Sequence, residues 1–206
     1  MINIGVLVSG GGTNLQAILD NIESGAIEAK VVSVVSSKEG AYALERAKNK
    51  NIEACVIKKS DHPTDYEDVL IKHFKDRKAD LIVLAGFMTI LKEKFIKAFE
   101  NRIINIHPAL IPSFCGEGYY GLKVHEAALK KGVKVSGATV HFVSEEADAG
   151  PIILQKAVEV RQDDTPESLQ KRIMEEAEWK IFPEAISLFA QGRLKVENNR
   201  VYIKEI

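Results

Sequence analysis

Four short apolar runs, each followed or preceded by a stretch with helical spacing, constrain this chain more than any other feature. They cover residues 2–8, 30–35, 52–57 and 80–85. Runs this short and this continuously apolar suit strands buried on both faces, as in a parallel sheet. Between them, residues 15–22, 41–50 and 65–76 read as helices, with Val69, Leu70 and Phe74 on one face of the third. Strict strand–helix alternation predicts an α/β fold, a parallel sheet wound through right-handed crossovers. With 206 residues the chain suits one such domain better than two. Ligands in sheets of this kind sit beyond the carboxyl ends of the strands. Three segments fall at that edge: 9–14, 86–91 and 105–112.

The third segment closes the stretch R-I-I-N-I-H-P-A-L-I-P-S-F at 102–114. Asn105 and His107 are two residues apart, so on an extended backbone they share a face. Pro108 ends the strand, having no N–H for a ladder and denying His107 a helical backbone. An amide donor beside an imidazole suits acyl transfer, the amide meeting a developing oxyanion and the imidazole handling a proton.

The first segment, Ser9-Gly10-Gly11-Gly12-Thr13-Asn14, is a glycine-rich turn from strand to helix. Such turns let backbone N–H groups reach an anion at the positive helix end. The spacing matches neither a dinucleotide fingerprint nor a P-loop. It suits one phosphate of a small substrate; the alternative is a tight turn with no ligand. The second segment, Gly86-Phe-Met-Thr-Ile-Leu91, reads equally as core capping or as an apolar pocket wall.

Further along, 122–131 reads as a helix, and 135–143 and 151–160 as two strands paired antiparallel, making the sheet mixed. Asp148 lies in the turn between them, where an Asp-Ala-Gly sequence is also ordinary turn chemistry. Thr165 is placed to cap a helix with Pro166 at its first position. That helix should run toward Gln191, kinked or split at Pro183, with a small strand pair at 194–204 around Asn198-Asn199.

Of five histidines, His62 and His73 are expected at the surface, His141 as a hydrogen-bonded structural imidazole, and His125 as either. A metal site of His107, His141 and Asp148 is allowed by residue type alone. Cys55 and Cys115 match no metal spacing and no disulfide framework. A net charge of −1 suggests no broad nucleic-acid or membrane-binding surface. No apolar run reaches the ~18 residues of a membrane span, and the first strand begins at Ile2 without a leader, so the expected location is cytoplasmic.

Several stretches in order, S-G-G-G-T-N-L-Q at 9–16, A-G-F-M-T-I-L at 85–91, I-N-I-H-P-A-L-I-P-S-F at 104–114, G-A-T-V-H-F-V at 137–143 and D-A-G-P-I-I-L-Q at 148–155, resemble the folate-dependent formyltransferase family. The phosphate-loop motif points to its glycinamide ribonucleotide branch. The resemblance implies a Rossmann-like, single-domain formyltransferase fold, a mixed, mostly parallel twisted sheet flanked by helices. It implies a phosphate-binding half over about 1–100 and a catalytic, folate-binding half over about 101–206, with no separate domain boundary.

The implied reaction moves the formyl group of 10-formyltetrahydrofolate to the amino group of glycinamide ribonucleotide, in purine biosynthesis, without a metal. Asn105, His107 and Asp148 would be catalytic. Gly11, Gly12, Thr13, Asn14 and Glu178 would hold the ribonucleotide, and Met88, Thr89, Ile90, Leu91 and Asn105 the folate. A protonated His107, its pKa raised by Asp148, would help stabilise the oxyanion. The proton from amine to folate nitrogen would travel through Asp148, His107 or water. Methionyl-tRNA formyltransferase and formyltetrahydrofolate hydrolase share the catalytic motifs, and a non-catalytic nucleotide-binding module is a further alternative; either a monomer or a homodimer fits. The chain departs from the family in a longer 115–121 loop, in Lys123 where histidine is common, and in M-T-I-L for M-R-I-L.

Overall fold

β1 (Ile2–Val8), buried from Ile4 onward, is the first strand of a computed structural model that describes residues 1–205. It pairs parallel with β2 (Ala29–Ser36) on one side and with β4 (Leu81–Leu84) on the other. β3 (Ala54–Val56) and β5 (Ile103–His107) continue the parallel pairing outward from β2 and β4. With β6 (Val135–Phe142) and β7 (Ile152–Glu159), these strands form a seven-stranded sheet ordered β3-β2-β1-β4-β5-β6-β7. The molecule is thus an α/β domain with a mostly parallel sheet flanked by helices. Within it the chain gathers into two compact units, Met1–Asn105 and the residues from Ile106 on.

In the first unit, α1 (Thr13–Glu23), α2 (Tyr42–Asn49) and α3 (Tyr66–Asp76) follow the strands as the spacing predicts. A fourth helix, α4 (Glu93–Ala98), has no clear signal in its own six residues. It forms because α3 supports it from a distance. The Glu67 carboxylate accepts from the N–H groups of Lys92 and Phe95, capping the helix start. Phe95 then packs edge-on against Phe74 at 6.5 Å between ring centroids and lies 5.1 Å from Phe99. All three rings are buried, each contributing about 1.5–3 kcal/mol.

In the second unit, α5 (Leu122–Lys131) precedes β6, and β6 pairs antiparallel with β7. The ladder slips between Val140, opposite Leu154, and His141, opposite Ile152. α6 (Pro166–Ile173) starts on the expected cap. Thr165 Oγ1 accepts from Ser168 N–H at 3.2 Å, and Ser168 Oγ accepts from Thr165 N–H at 2.9 Å.

The break expected at Pro183 lies elsewhere. Residues Met174–Glu178 form a π turn, and α7 (Trp179–Ala190) continues through Pro183 without being split. A proline ring clashes with the carbonyl four residues back, here Trp179, and the wider π turn ends immediately before that residue. β8 (Leu194–Glu197) and β9 (Arg200–Ile203) form the terminal hairpin, turned by Asn198 and Asn199 with φ of 48° and 60°. Among the described residues no helix is long and apolar enough to cross a membrane.

Candidate active site

The glycine loop lies between β1 and α1. Gly12 has φ of 71°, and a Cβ there would sit 2.6 Å from the Cβ and 2.8 Å from the Cα of Ala43. Only glycine fits against α2 in that conformation. The loop carbonyls are occupied: Gly10 O accepts from Ala43 N–H at 3.1 Å and Gly12 O from Gln16 N–H at 2.9 Å. Ser9, at the end of β1, is buried, and its hydroxyl accepts from Met88 N–H at 2.9 Å while bonding Ser37 Oγ at 2.6 Å. One serine thereby ties the glycine loop to the segment 86–91. Of that segment only Leu91 joins the core, while Met88 and Ile90 are 45% and 66% exposed. Met88 and Ile90 therefore do not cap the core.

Asn105 stands on β5 opposite Leu84, and His107, two residues on, is 4% exposed. The chain leaving His107 is clamped. Thr139 Oγ1 donates to Ala109 O at 2.7 Å and accepts from Ile111 N–H at 3.1 Å, and Gln155 Nε2 donates to Ile111 O at 2.9 Å. The Ile111–Pro112 peptide is cis. Asp148 has φ of 56°, a conformation that Asp tolerates. Gly150 fixes the turn, since a Cβ there would fall 1.8 Å from Phe142 O. Asp148 is thus both a turn residue and a presented carboxylate.

Asp148 sits between two imidazoles. His107 Nδ1 is 3.5 Å from its Oδ2 and His141 Nε2 is 3.6 Å from its Oδ1. Gly116 N–H donates to Oδ2 at 2.9 Å. His141, expected to be structural, is aimed here by the register slip in front of it, a common use of a bulge. On their far sides both rings meet carbonyls: His107 Nε2 at 2.8 Å from Phe114 O, and His141 Nδ1 at 2.8 Å from Phe142 O. A carbonyl only accepts, so Nε2 of His107 carries that ring's proton. The His107 nitrogen facing Asp148 therefore presents a lone pair to the carboxylate when the ring is neutral, while His141 hydrogen-bonds the same carboxylate. The cluster lacks one proton that would complete its hydrogen bonds, so it is built to accept one.

The electrostatics agree with that assignment. Burial pushes the His107 imidazole below its ordinary range, outweighing the upward pull of Asp148 and of the Phe114 carbonyl. This corrects the expectation of a raised His107 pKa: the carboxylate is there, but desolvation is the larger effect. Burial also opposes ionisation of Asp148, yet the contacts with His141, His107 and Gly116 N–H together hold its carboxyl below the usual range. At rest the pair is a neutral imidazole beside a carboxylate.

The remaining expected residues are placed as follows. Glu178 is buried at the end of the π turn, which packs on β6 and β7. His73 is not a surface residue: it is half-buried, with Nε2 at 2.8 Å from Ser33 Oγ. His62 is half-buried, 3.5 Å from Asp65. His125 is fully buried, neither ring nitrogen has a hydrogen-bond partner, and burial lowers its pKa to about 4. Among the described residues no group of His, Cys, Asp or Glu is arranged to hold a metal ion. Residue-by-residue reading missed Thr139, Gln155 and the Gly116 N–H, and grouped His141 with His107 and Asp148 only as a metal site. Thr139, His141 and Gln155 stand inside recognisable motifs, but nothing in the local sequence marks the Gly116 amide.

Residues 2–186 match the formyl transferase family model. The chain is 41% identical over 205 residues to a phosphoribosylglycinamide formyltransferase of Haemophilus influenzae, covering 98% of this chain and 94% of that one. It is 40% identical to the Escherichia coli protein of the same name, covering 98% and 93%. A crystal structure of glycinamide ribonucleotide transformylase 1 from Symbiobacterium toebii superposes with a TM-score of 0.94 at 46% identity, covering 100% of this chain and 95% of that one. With a glycine-loop strand, an Asn-x-His-Pro strand end and an Asp-x-Gly turn in one sheet protein, the chain belongs to the formyl transferase family.

Proposed function

We propose that this protein transfers the formyl group of 10-formyltetrahydrofolate to the amino group of glycinamide ribonucleotide, releasing the N-formyl product and tetrahydrofolate, as a step in purine biosynthesis. The observation that carries the proposal is the proton-deficient cluster of His107, His141 and Asp148, with His107 on the same strand as Asn105. The substrate amine attacks the formyl carbon, and the carbonyl oxygen becomes an oxyanion. Asn105 supplies an N–H donor to that oxygen, an interaction worth about 10²–10³ in rate at comparable sites. The attacking nitrogen must lose a proton, and His107 accepts it beside the Asp148 carboxylate, which stabilises the imidazolium. The same proton passes to the folate nitrogen as the carbon–nitrogen bond to the donor breaks. His107 thus begins neutral and becomes charged only as the reaction needs it.

In this reading the N–H groups of Gly11, Gly12, Thr13 and Asn14 hold the phosphate, and Glu178 contacts the rest of the ribonucleotide. Met88, Thr89, Ile90 and Leu91 line the folate site. The enzyme works on two small molecules in the cytoplasm, as a monomer or homodimer. A spectrophotometric formyl-transfer assay with a 10-formylfolate donor tests the proposal. Turnover is expected only when glycinamide ribonucleotide is present. Donor consumption without it would mean a hydrolase, and no consumption by folded protein would mean a binding module.

A further inference from the structure

The side of the glycine loop that faces α2 explains why its amides face the other way. Arg46 Nε donates to Gly11 O at 2.9 Å, and its Nη1 donates to Gln16 Oε1, in the first turn of α1, at 2.9 Å. The guanidinium lies 4.9 Å from the centroid of the Tyr42 ring, which holds its plane. Together with Ala43 N–H on Gly10 O and Gln16 N–H on Gly12 O, this occupies three successive carbonyls. In a trans peptide the C=O of one residue and the N–H of the next point in opposite directions. Tying Gly10 O and Gly11 O to α2 therefore turns the N–H groups of Gly11 and Gly12 away from α2. Tying Gly12 O to Gln16 turns the Thr13 N–H outward from the helix start. Three amides aimed at one side form an anion nest. None of the ion pairs among the described residues involves Arg46, so its charge stands behind the nest without a carboxylate to neutralise it.

We propose that Arg46 is a positioning and specificity residue for the phosphate of the acceptor substrate, acting through the Gly11 carbonyl. Its fork makes two bonds at once, to the loop and to α1. A lysine, with its donors at a single point, cannot match that geometry. The inference rests on the phosphate reading of the loop.

The test compares wild type with Arg46→Ala, Arg46→Gln and Arg46→Lys on glycinamide ribonucleotide and on the riboside that lacks the phosphate. Arg46→Ala should raise KM for the ribonucleotide about ten- to a hundredfold, the scale of losing a charge-assisted hydrogen bond. kcat and KM for the formyl donor should stay at wild-type values. Arg46→Lys should recover only part of the loss, and kcat/KM on the riboside should be the same in all four proteins. Arg46→Gln keeps a donor amide and carries the comparison if the alanine variant does not fold. An equal loss on the riboside would overturn the inference in favour of a merely structural arginine, and full recovery by lysine would overturn the fork. If wild type itself used both acceptors equally, the phosphate reading would fall instead.

Discussion

The glycine loop and the Asp148 cluster divide their labour in opposite ways. In the loop, backbone N–H groups face outward, and side chains, Arg46 and Ser9, hold the backbone in shape. In the cluster, side chains meet one another, and backbone groups, the carbonyls of Phe114 and Phe142 and the N–H of Gly116, hold them. The difference follows from the tasks proposed for them. A phosphate keeps its charge throughout, so fixed dipoles suffice to bind it. A proton in transit needs groups whose protonation state can change, and only side chains offer that.

Breaking the cluster should cost turnover and little binding. Asp148→Asn and Asn105→Ala should each lower kcat roughly ten- to a thousandfold, with both Michaelis constants within a few-fold of wild type. A folded variant of either kind with wild-type kcat would remove that residue from the mechanism.

Breaking the loop should do the reverse. At Gly12 any side chain meets Ala43 Cβ at 2.6 Å in a φ of 71°, so Gly12→Val must push the loop off α2. Its KM for the ribonucleotide should rise by about tenfold or more while that for the folate holds, with about 1–3 kcal/mol lost in stability. Equal changes in both Michaelis constants would argue against a phosphate loop.

A third change separates chemistry from folding within the second unit. His125 is buried and neutral, its pKa lowered from 6.5 to about 4 by burial and, less strongly, by nearby His107. The unfolded chain therefore binds a proton that the folded one does not, once the pH falls below about 6.5. Stability should decline from there down to about pH 4, by about 3 kcal/mol at 1.36 kcal/mol per unit. Denaturant melts of His125→Leu should lose that part of the acid sensitivity; an unchanged pH dependence would mean that His125 is not its source. The smallest effect is expected at Thr165→Ala, which removes the α6 cap and should cost about 1 kcal/mol without altering either Michaelis constant or kcat.

How much of this was readable in the sequence depends on how local each feature is. The glycine loop is one contiguous turn, and the Asn105–His107 pair follows from strand periodicity, so both are visible as residue patterns. Thr165 announces α6 for the same reason. The failures are all non-local. α4 exists because Glu67 and Phe74 reach it from α3. His141 enters the site through a register slip that only pairing with β7 creates. The neutral state of His107 depends on how deeply the fold buries it, which competes with a carboxylate that the sequence does show. The helix break moved from Pro183 to Met174–Glu178 because a wider turn upstream accommodates the ring.

The most direct test is a single-turnover formyl transfer by Asp148→Asn, with both substrates saturating and their binding measured separately. The account predicts dissociation constants close to wild type and a transfer rate lowered by at least about tenfold. A wild-type transfer rate, or a slow rate explained by lost ribonucleotide binding, would contradict the claim that this cluster handles the proton while the glycine loop holds the substrate.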